Sequence, residues 1–343
     1  MKFYWVKTQR TLISIIALLA VLFQALPASA ASAASPDPTP NIYNPLSNGE
    51  LPTQPIDSDL MQLSAQTWIM VNGANGKVLS SKDPDRRMYP ASMTKMMTCI
   101  LAIESGRLND TITISRHAAA TPYAHVSVGY RYILRDLLYE MMLRSDNGAA
   151  TAVAEFIAPD SVPFADLMNQ KAAQLGMQGT HFSNPHGLHE ASNYSTAADM
   201  MRLALYCMRN PVFAQIVATP TYNLVSVYPA GRNMFCRSVN RLLGRYAGSY
   251  GIKTGYTRAA GGCLASVARH GSQSVFLVVM HCSPVRVRFQ ESATLLDHGF
   301  AMIESERTPR MKAPEVPYRH VISQPTPISQ LPVPYPKRAT AGK

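Results

Sequence analysis

Strand-like segments lie at both ends of the central part of this sequence, and helix-like segments lie between them. Residues 66–82 (QTWIMVNGANGKVLSSK) have the composition of two strands joined by a Gly/Asn turn. Residues 250–257, 262–269 and 274–282 are further strand-like runs, rich in apolar and β-branched residues. This order favours one sheet built from both chain ends. It predicts an α/β (α+β) fold, an antiparallel β-sheet flanked by helices with an inserted helical subdomain.

Five segments between and after these strands are predicted to be helical. Their apolar residues recur at helical spacing, and two of the segments stop at a glycine. They cover residues 93–104, 132–157 with a break at RSDNGAA, 161–175, 196–210 and 288–300. The sequence contains no internal repeat, so a solenoid or propeller is not indicated.

The first thirty residues have the pattern of a secretory signal peptide. Lys2, Lys7 and Arg10 form a basic start, an apolar run occupies residues 12–26, and small residues at 28–30 offer a cleavage site. An uncleaved N-terminal anchor is the alternative interpretation. Either way the sequence predicts export of the protein to the periplasm or the exterior of the cell envelope. Association with the membrane is compatible with both interpretations.

Composition divides the remaining chain into three parts. Residues 31–58 contain six prolines and are predicted to be an extended linker, whereas residues 59–306 are long enough for one folded domain. Residues 307–343 form a Pro-rich basic tail with eight prolines and seven Lys or Arg, which should be disordered. Much of the net charge of +11 therefore lies in the leader and the tail. A nucleic-acid surface on the domain is unsupported, but the tail has the charge to contact a membrane or an acidic wall polymer.

The stretch PASMTKMMT, residues 90–98, places a serine three residues before a lysine. In a helix Ser92 and Lys95 would share one face, close enough for a hydroxyl nucleophile and its base. A surface serine beside a snorkelling lysine would show the same spacing, so this motif alone does not decide between them.

Two further motifs follow in the chain. RSDNGAA places Ser145 and Asn147 at the break between helical stretches, and GIKTGYT places Lys253, Thr254 and Gly255 on a strand. The order S-x-x-K, S-x-N and K-T-G is the signature of penicillin-binding proteins and related β-lactamases. Each motif is weak alone, but the three together in their expected local structures are a strong signal.

The residue types suit acyl transfer by a serine. Ser92 becomes nucleophilic if a neutral Lys95 takes its proton, and burial together with the nearby cation Lys253 is expected to lower the pKa of Lys95. Ser145 is suited to relay a proton to the leaving amine. The Asn147 amide can both donate to and accept from a substrate amide.

The strand motif suits recognition of a peptide end. Lys253 and Thr254 offer charge and a hydroxyl to a terminal carboxylate, and Gly255 leaves room for an extended peptide along the strand edge. The backbone N–H groups of Ser92 and Tyr256 are the candidates for holding the tetrahedral oxyanion.

Over residues 60–305 the sequence resembles the serine-type D-alanyl-D-alanine carboxypeptidases, the low-molecular-mass penicillin-binding proteins. The phrases PASMTKMMT, HFSNPHGLHEASNYSTAADM and GIKTGYTRAAGGCL carry the likeness with the three motifs. The resemblance implies a catalytic domain over residues 59–306 with its site in a cleft. It also implies a peptidoglycan stem peptide ending in D-Ala-D-Ala as substrate, release of the terminal D-Ala, and acylation of the serine by β-lactams. No cofactor or metal is implied.

The resemblance also implies a role for each motif residue. Ser92 would be the nucleophile, Lys95 the general base and Ser145 the proton relay. Asn147 would contact the substrate amide, and Lys253 with Thr254 would bind its carboxylate. Many members of the family carry a second, all-β domain and a C-terminal amphipathic membrane helix, but here only the Pro-rich tail follows residue 306.

Several alternatives use the same residues differently. A DD-endopeptidase or transpeptidase would need the same motifs, and a β-lactamase would add a deacylating carboxylate, for which Glu190 with Asn193 matches a Glu-x-x-Asn pattern. A wall-binding protein with a degenerate site is disfavoured, because all three motifs are intact.

The histidines and the cysteines could in principle support different chemistry. A zinc site at His181, His186 and His189 is disfavoured, because the H-E-x-x-H spacing is absent. The five cysteines include no C-x-x-C pair, and they are expected to be buried free thiols, with a disulfide between Cys263 and Cys282 as the alternative.

Overall fold

The computed structural model describes residues 58–158 and 163–307. The predicted signal peptide, the linker up to residue 57 and the tail from residue 308 lie outside the described residues. Within the described part no helix combines the length and apolar character that spanning a bilayer requires.

A five-stranded antiparallel sheet forms the centre of the fold, in the order β2-β1-β9-β8-β7. Two small antiparallel hairpins, β3-β4 and β5-β6, lie outside it. The strands are β1 Thr67–Asn72, β2 Val78–Lys82, β3 Thr111–Thr113, β4 Arg131–Ile133, β5 Thr221–Val225, β6 Asn233–Arg237, β7 Ser249–Thr257, β8 Gly261–His270 and β9 Gln273–Cys282. Strand β1 from the chain start pairs with β9 from the end, with Thr67 opposite Met280. The sheet predicted from both chain ends is therefore confirmed.

Nine α-helices surround this sheet within the described residues. They are α1 Ser58–Met61, α2 Lys95–Glu104, α3 Arg116–Ala120, α4 Leu134–Tyr139, α5 Asn147–Ile157, α6 Phe164–Gln174, α7 Ala197–Met208, α8 Pro211–Ala218 and α9 Arg288–Arg307. A 3₁₀ turn at Ala91–Thr94 leads directly into α2, and a π-helical turn at Glu140–Arg144 follows α4. A second 3₁₀ turn at Val285–Val287 precedes α9.

The two faces of the sheet bury different hydrophobic clusters. Because side chains alternate along a strand, Ile69 and Val71 of β1 face one cluster, while Trp68 and Met70 face the other. The first cluster includes the methionines of α2 and the apolar side of α5. The second is completed by α9, through residues such as Leu296. Helices α2 and α5 are thus held on one side of the sheet, where the motif residues lie.

The predicted elements differ from the observed ones mainly at their ends. Residues 132–133 belong to β4 rather than to a helix, and the last helix runs to Arg307 instead of residue 300. The helix predicted over 161–175 is observed at Phe164–Gln174, and residues 161 and 162 lie outside the described part. Strand β3, hairpin β5-β6 and helices α1, α3 and α8 were not predicted.

Candidate active site

Ser92 and Lys95 meet at the entrance to α2. Ser92 lies in the 3₁₀ turn and is half-buried, whereas Lys95 is the first residue of α2 and is fully buried. The Lys95 Nζ lies 3.1 Å from the Ser92 Oγ. Ala91 has φ of +48°, an unusual value for a residue with a side chain, and directs the chain into this turn. The prediction that the two side chains share one face is confirmed at hydrogen-bond distance.

Lys95 is held from two other sides. Its Nζ donates to the Asn147 Oδ1 at 2.6 Å and to the backbone carbonyl of His186 at 2.6 Å. Burial lowers the pKa of Lys95 to about 7, and the nearby charge of Asp146 opposes this shift. This direction agrees with the predicted lowering of the pKa, but burial is its main cause, and the influence expected from Lys253 is not among the causes. Near neutral pH a large fraction of this amine can accept a proton.

The second motif is placed by a sharp turn between the π-helical turn and α5. Ser145 has φ of +63° and is half-buried, and Asp146 caps α5 by accepting the Ala149 N–H at 2.6 Å. Asn147 is the first residue of the helix, and its Nδ2 donates to the carbonyl of Pro122 at 2.7 Å. Both ends of the Asn147 amide are therefore engaged within the protein, where the sequence predicted contacts with a substrate amide.

Lys253 connects the second and third motifs. It is buried on β7, and its Nζ donates to the Ser145 Oγ at 2.8 Å and to the Thr254 carbonyl at 2.9 Å. Burial, with smaller effects from Lys95 and Arg288, holds the pKa of Lys253 well below its usual range. Among the described residues no carboxylate forms an ion pair with it. The contact of Ser145 is thus with Lys253, where the sequence predicted a relay from Lys95.

Gly255 brings β7 against the turn that carries the serine. A β-carbon built at Gly255 would lie 2.8 Å from the Pro90 carbonyl oxygen and 3.2 Å from the backbone nitrogen of Ser92. Glycine is therefore required here by the serine turn itself, in addition to the room predicted for an extended peptide. Tyr256, the next residue, is 55 % exposed, whereas Thr254 is buried. Since β7 is an edge strand of the sheet, a peptide can add to it.

The loop that contains HFSNPHGLHE closes the other side of the site. Gly187 has φ of +82°, and its position against Ala91 leaves no room for a side chain. The Pro185 carbonyl accepts the Thr98 hydroxyl of α2 at 2.6 Å. Burial, followed by the charge of Lys95, lowers the pKa of His186 to about 4. This loop therefore fixes α2 and supplies one acceptor to Lys95.

The candidate residues for a zinc site or for β-lactamase chemistry each have a separate partner. The His181 Nδ1 contacts the Ser192 carbonyl, the His186 Nδ1 accepts from the Leu188 N–H, and His189 packs edge-on against Tyr89. Exposed Glu190 accepts from the Asn184 Nδ2 at 2.8 Å, consistent with a surface loop residue.

The cysteines are free thiols. All five are buried and unpaired, so the expectation of free thiols is confirmed and the alternative disulfide between Cys263 and Cys282 is wrong. Apolar packing accounts for most of them. Cys236 instead donates its thiol to the Glu140 Oε2 at 2.8 Å.

Two buried acidic residues, Glu140 and Asp146, lie beside Ser145 and Asn147 in the chain. The Glu140 Oε1 lies 3.2 Å from the Arg144 Nη1, and burial raises the pKa of Glu140 to about 7. Asp146 accepts the backbone N–H of His125 at 2.5 Å and contacts its Nδ1 at 2.9 Å. A ring nitrogen of His125 and one carboxylate oxygen each of Glu140 and Asp146 lie within 4.8 Å of one another. Each already has a protein partner, and together they hold the turn that presents Ser145.

Three supporting residues were not singled out by the motif analysis of the sequence. Arg288, at the start of α9, donates its Nη1 to the Gly255 carbonyl at 2.9 Å. Gly187 and Asp146 shape the turns on either side of Lys95. The sequence held a signal only for Gly187 and Asp146, because they lie within the stretches HFSNPHGLHE and RSDNGAA.

The fold and the site together are those of a serine-type peptidase, with a serine hydroxyl 3.1 Å from a buried lysine amine. A family model described as D-alanyl-D-alanine carboxypeptidase, Peptidase_S11, matches residues 52–283, and this chain belongs to that family. The resemblance seen in the sequence is therefore confirmed.

Two curated relatives illustrate the family. The chain is 32 % identical over 248 residues to the D-alanyl-D-alanine carboxypeptidase DacF of Bacillus subtilis, covering 70 % of this chain and 63 % of that one. It is 34 % identical over 247 residues to DacB2 of Mycobacterium tuberculosis, covering 69 % of this chain and 83 % of that one. The match thus spans less than two thirds of the Bacillus relative.

Two solved structures are similar over most of the described residues. The Streptomyces K15 DD-transpeptidase aligns with a TM-score of 0.67 at 30 % identity, covering 70 % of this chain and 98 % of that one. Penicillin-binding protein D2 of Listeria monocytogenes, in its ampicillin-bound form, aligns with a TM-score of 0.63 at 28 % identity, covering 72 % of this chain and all of that one. The predicted fold class is confirmed.

Proposed function

We propose that this protein is a serine DD-carboxypeptidase that removes the terminal D-Ala from peptidoglycan stem peptides and that β-lactams acylate at Ser92. The observation that carries the proposal is the contact between the half-buried Ser92 hydroxyl and the buried Lys95 amine, at 3.1 Å. A buried amine with a lowered pKa is the base that a serine nucleophile needs.

The reaction proceeds through an ester on Ser92. Neutral Lys95 takes the hydroxyl proton while the Ser92 Oγ bonds to the carbonyl carbon of the penultimate D-Ala. The bond from that carbon to the nitrogen of the terminal D-Ala then breaks, and the departing amine receives a proton by way of Ser145. Water subsequently cleaves the ester, releasing the shortened peptide and restoring the serine.

The substrate carboxylate supplies the counter-charge that Lys253 lacks. Lys253 and Thr254 face it from β7, and its arrival favours the charged form of the lysine. The peptide adds to the edge of β7, and Tyr256 flanks it at the exposed end of the motif. Asn147 contacts the substrate amide once one of its internal hydrogen bonds is exchanged.

Release of free D-Ala from a short peptide ending in D-Ala-D-Ala tests the proposal. Ser92→Ala should abolish both release and the covalent penicillin adduct seen by mass spectrometry. Ser305→Ala, an exposed serine on α9, is the matched control and should retain both. A wild-type protein that neither releases D-Ala nor forms the adduct would refute the proposal.

We also propose that the protein acts outside the cytoplasm, in the periplasm or at the exterior of the cell envelope. The basic start, apolar run and small residues of positions 1–30 support export, and the charge of residues 307–343 supports contact with an anionic membrane or wall polymer. Mass spectrometry of the N-terminus tests cleavage near residue 30. Sedimentation with anionic vesicles, with and without residues 307–343, tests the tail.

A further inference from the structure

The charge of the folded domain is unevenly distributed along the chain. Residues 200–290 contain eleven Lys or Arg and no Asp or Glu. Part of this excess is exposed on hairpin β5-β6 and the loop that follows it, at Arg232, Arg237, Arg241 and Arg245. Among the described residues none of these four forms an ion pair with a carboxylate. This part of the domain therefore presents unbalanced positive charge to solvent, which attracts anionic partners.

The same segment exposes large apolar side chains. In the part of the chain that the structure describes nine such side chains are exposed, and five of them lie between residues 225 and 239. They are Val225, Val227, Tyr228, Phe235 and Val239. Phe235 is 62 % exposed and Tyr228 is 56 % exposed. Single exposed apolar residues are common on proteins, but a group of five on one hairpin marks an interaction surface.

The strand register places apolar and basic side chains on one face of the hairpin. Val225 of β5 lies opposite Asn233 of β6. Phe235 and Arg237 follow Asn233 at intervals of two residues, so their side chains share its face, and Phe235 is the diagonal neighbour of Val225. The opposite face packs into the first hydrophobic cluster through residues such as Leu224. The hairpin therefore buries one face in the domain and presents the other, mixed face to solvent.

The loop of residues 238–245 extends this face. Its Val239 and Arg241 line one concave space together with Phe235 and Arg237 of β6. Apolar and basic side chains are thus neighbours in space as well as in sequence. The five apolar and four basic side chains named above are together called the hairpin patch.

The hairpin patch is held in place by the rest of the domain. The Val227 N–H donates to the Arg131 carbonyl at 2.7 Å, and the Arg131 N–H donates to the Tyr228 carbonyl at 2.8 Å. The Arg131 guanidinium lies 4.9 Å from the centre of the Tyr228 ring. The Val239 N–H donates at 2.9 Å to the carbonyl of Leu143, in the π-helical turn before the second motif. Docking of the patch would therefore also orient the candidate active site.

We propose that the hairpin patch docks on an anionic phospholipid bilayer, with its apolar side chains in the interface and its arginines on the lipid phosphates. This docking belongs to the folded domain and requires neither the tail contact nor the reaction proposed above. Arginines neutralise the charge of the lipid phosphates, while tyrosine, phenylalanine and valine side chains enter the boundary between headgroups and acyl chains. A soluble phosphate polymer would bind the arginines but would leave the five apolar side chains in water.

Fluorescence quenching in vesicles measures whether the hairpin enters the bilayer. The test uses the mature chain, residues 31–343, in which buried Trp68 is the one tryptophan. Phe235→Trp adds a reporter in the patch, and Met61→Trp, at an exposed apolar position on α1, is the matched control. The vesicles contain phosphatidylglycerol and phosphatidylcholine in equal parts, with bromine on the acyl chains. We expect about two-fold quenching of the reporter at position 235 and none at position 61.

Co-sedimentation with the same vesicles measures the contribution of the arginines. Arg232→Gln/Arg237→Gln should weaken binding by about thirty-fold at low salt, since each arginine near an anionic surface contributes a factor of about five. The wild-type affinity should fall as salt rises. Arg86→Gln/Arg87→Gln removes the same charge from an exposed pair outside the patch and should stay within about two-fold of wild type. The tail is present in every variant, so its contribution cancels in the comparison. Urea unfolding checks that each variant is folded, and this readout does not depend on the proposed reaction.

Four results would overturn the docking surface. The first is absence of wild-type binding to the anionic vesicles. The second is binding without quenching at position 235, or with equal quenching at position 61, which would assign the contact to the tail or to non-specific adsorption. The third is equal weakening in the two double variants. The fourth is loss of binding to poly(glycerol phosphate) in Arg232→Gln/Arg237→Gln without quenching at position 235, which would assign the arginines to a phosphate polymer.

Discussion

Gly187 lies so close to Ala91 that a β-carbon on it would be 1.9 Å from the Ala91 carbonyl oxygen. The loop before α7 thus touches the backbone of the turn that presents Ser92. The nearest atoms are the carbonyl oxygen and carbon of Ala91, which belong to the main chain and cannot rotate away to admit a side chain.

Gly187→Ala is expected to misplace Ser92. The positive φ alone costs about 1–2 kcal/mol, and the clash must move one backbone segment, which slows penicillin acylation by about a hundred-fold. Gly106→Ala is the matched control, since Gly106 has φ of +73° but open space around it. Stopped-flow acylation and urea unfolding separate the two effects. Equal acylation rates in both variants would contradict the explanation.

Acylation of Ser92 should follow the protonation of Lys95. Because burial lowers the pKa of Lys95 to about 7, the neutral amine fraction, and with it the rate, should rise about ten-fold per pH unit below that value and level off above it. Penicillin acylation measured from pH 5 to 9 reports this directly. Lys77→Gln, which removes an exposed lysine paired with Glu306, should keep the same profile. A rate independent of pH from 5 to 8 would exclude Lys95 as the base.

Ser145 and Lys253 should act as a unit, since their side chains are joined at 2.8 Å. Ser145→Ala and Lys253→Gln should each slow D-Ala release. The double variant should lose less transition-state stabilisation than the sum of the losses in the two single variants, by about 1–2 kcal/mol, as expected for residues in contact. Lys82→Gln, whose amine contacts the Ala65 carbonyl away from the motifs, provides the comparison and should add to Ser145→Ala without coupling. Additive losses for the first pair would show that the contact is not used.

Glu140→Gln should alter how stability depends on pH. The folded-state pKa is raised above the unfolded value to about 7, so the folded protein binds the extra proton more tightly. The stabilisation is present below about pH 4.5 and is lost as pH rises towards 7. The variant cannot ionise, so its stability relative to wild type should increase over that window in urea unfolding. Asp85→Asn, an exposed carboxylate, is the control. A constant difference from pH 4.5 to 8 would contradict the assignment.

The sheet and the motif residues could be predicted from the sequence because their signals are local. An apolar run followed by a Gly/Asn turn marked β1 and β2, and the spacing of Ser92 and Lys95 is a property of one turn of helix. The depressed pKa of Lys95 also followed from its apolar neighbours, since burial is its main cause.

The rest could not be predicted because it depends on contacts between distant parts of the chain. Arg288 reaches Gly255 from another element, and nothing near Arg288 in the sequence indicates that contact. The Ser145 hydroxyl contacts Lys253 rather than Lys95. This contact depends on the positive φ of Ser145 and on the position of β7, which carries Lys253. Hairpin β5-β6 was overlooked because its short strands alternate weakly and lie mostly at the surface.

The pairing of β1 with β9 has a consequence for synthesis. A ribosome that has added Gly255 has made every residue of the three motifs, yet β8 and β9 have still to be made. Until β8 is made, β7 has no strand to pair with, and until Met280 emerges Thr67 has no partner on β9. Such long-range pairing forms slowly. The nascent chain therefore carries the side chains of all three motifs well before the sheet that positions them can form.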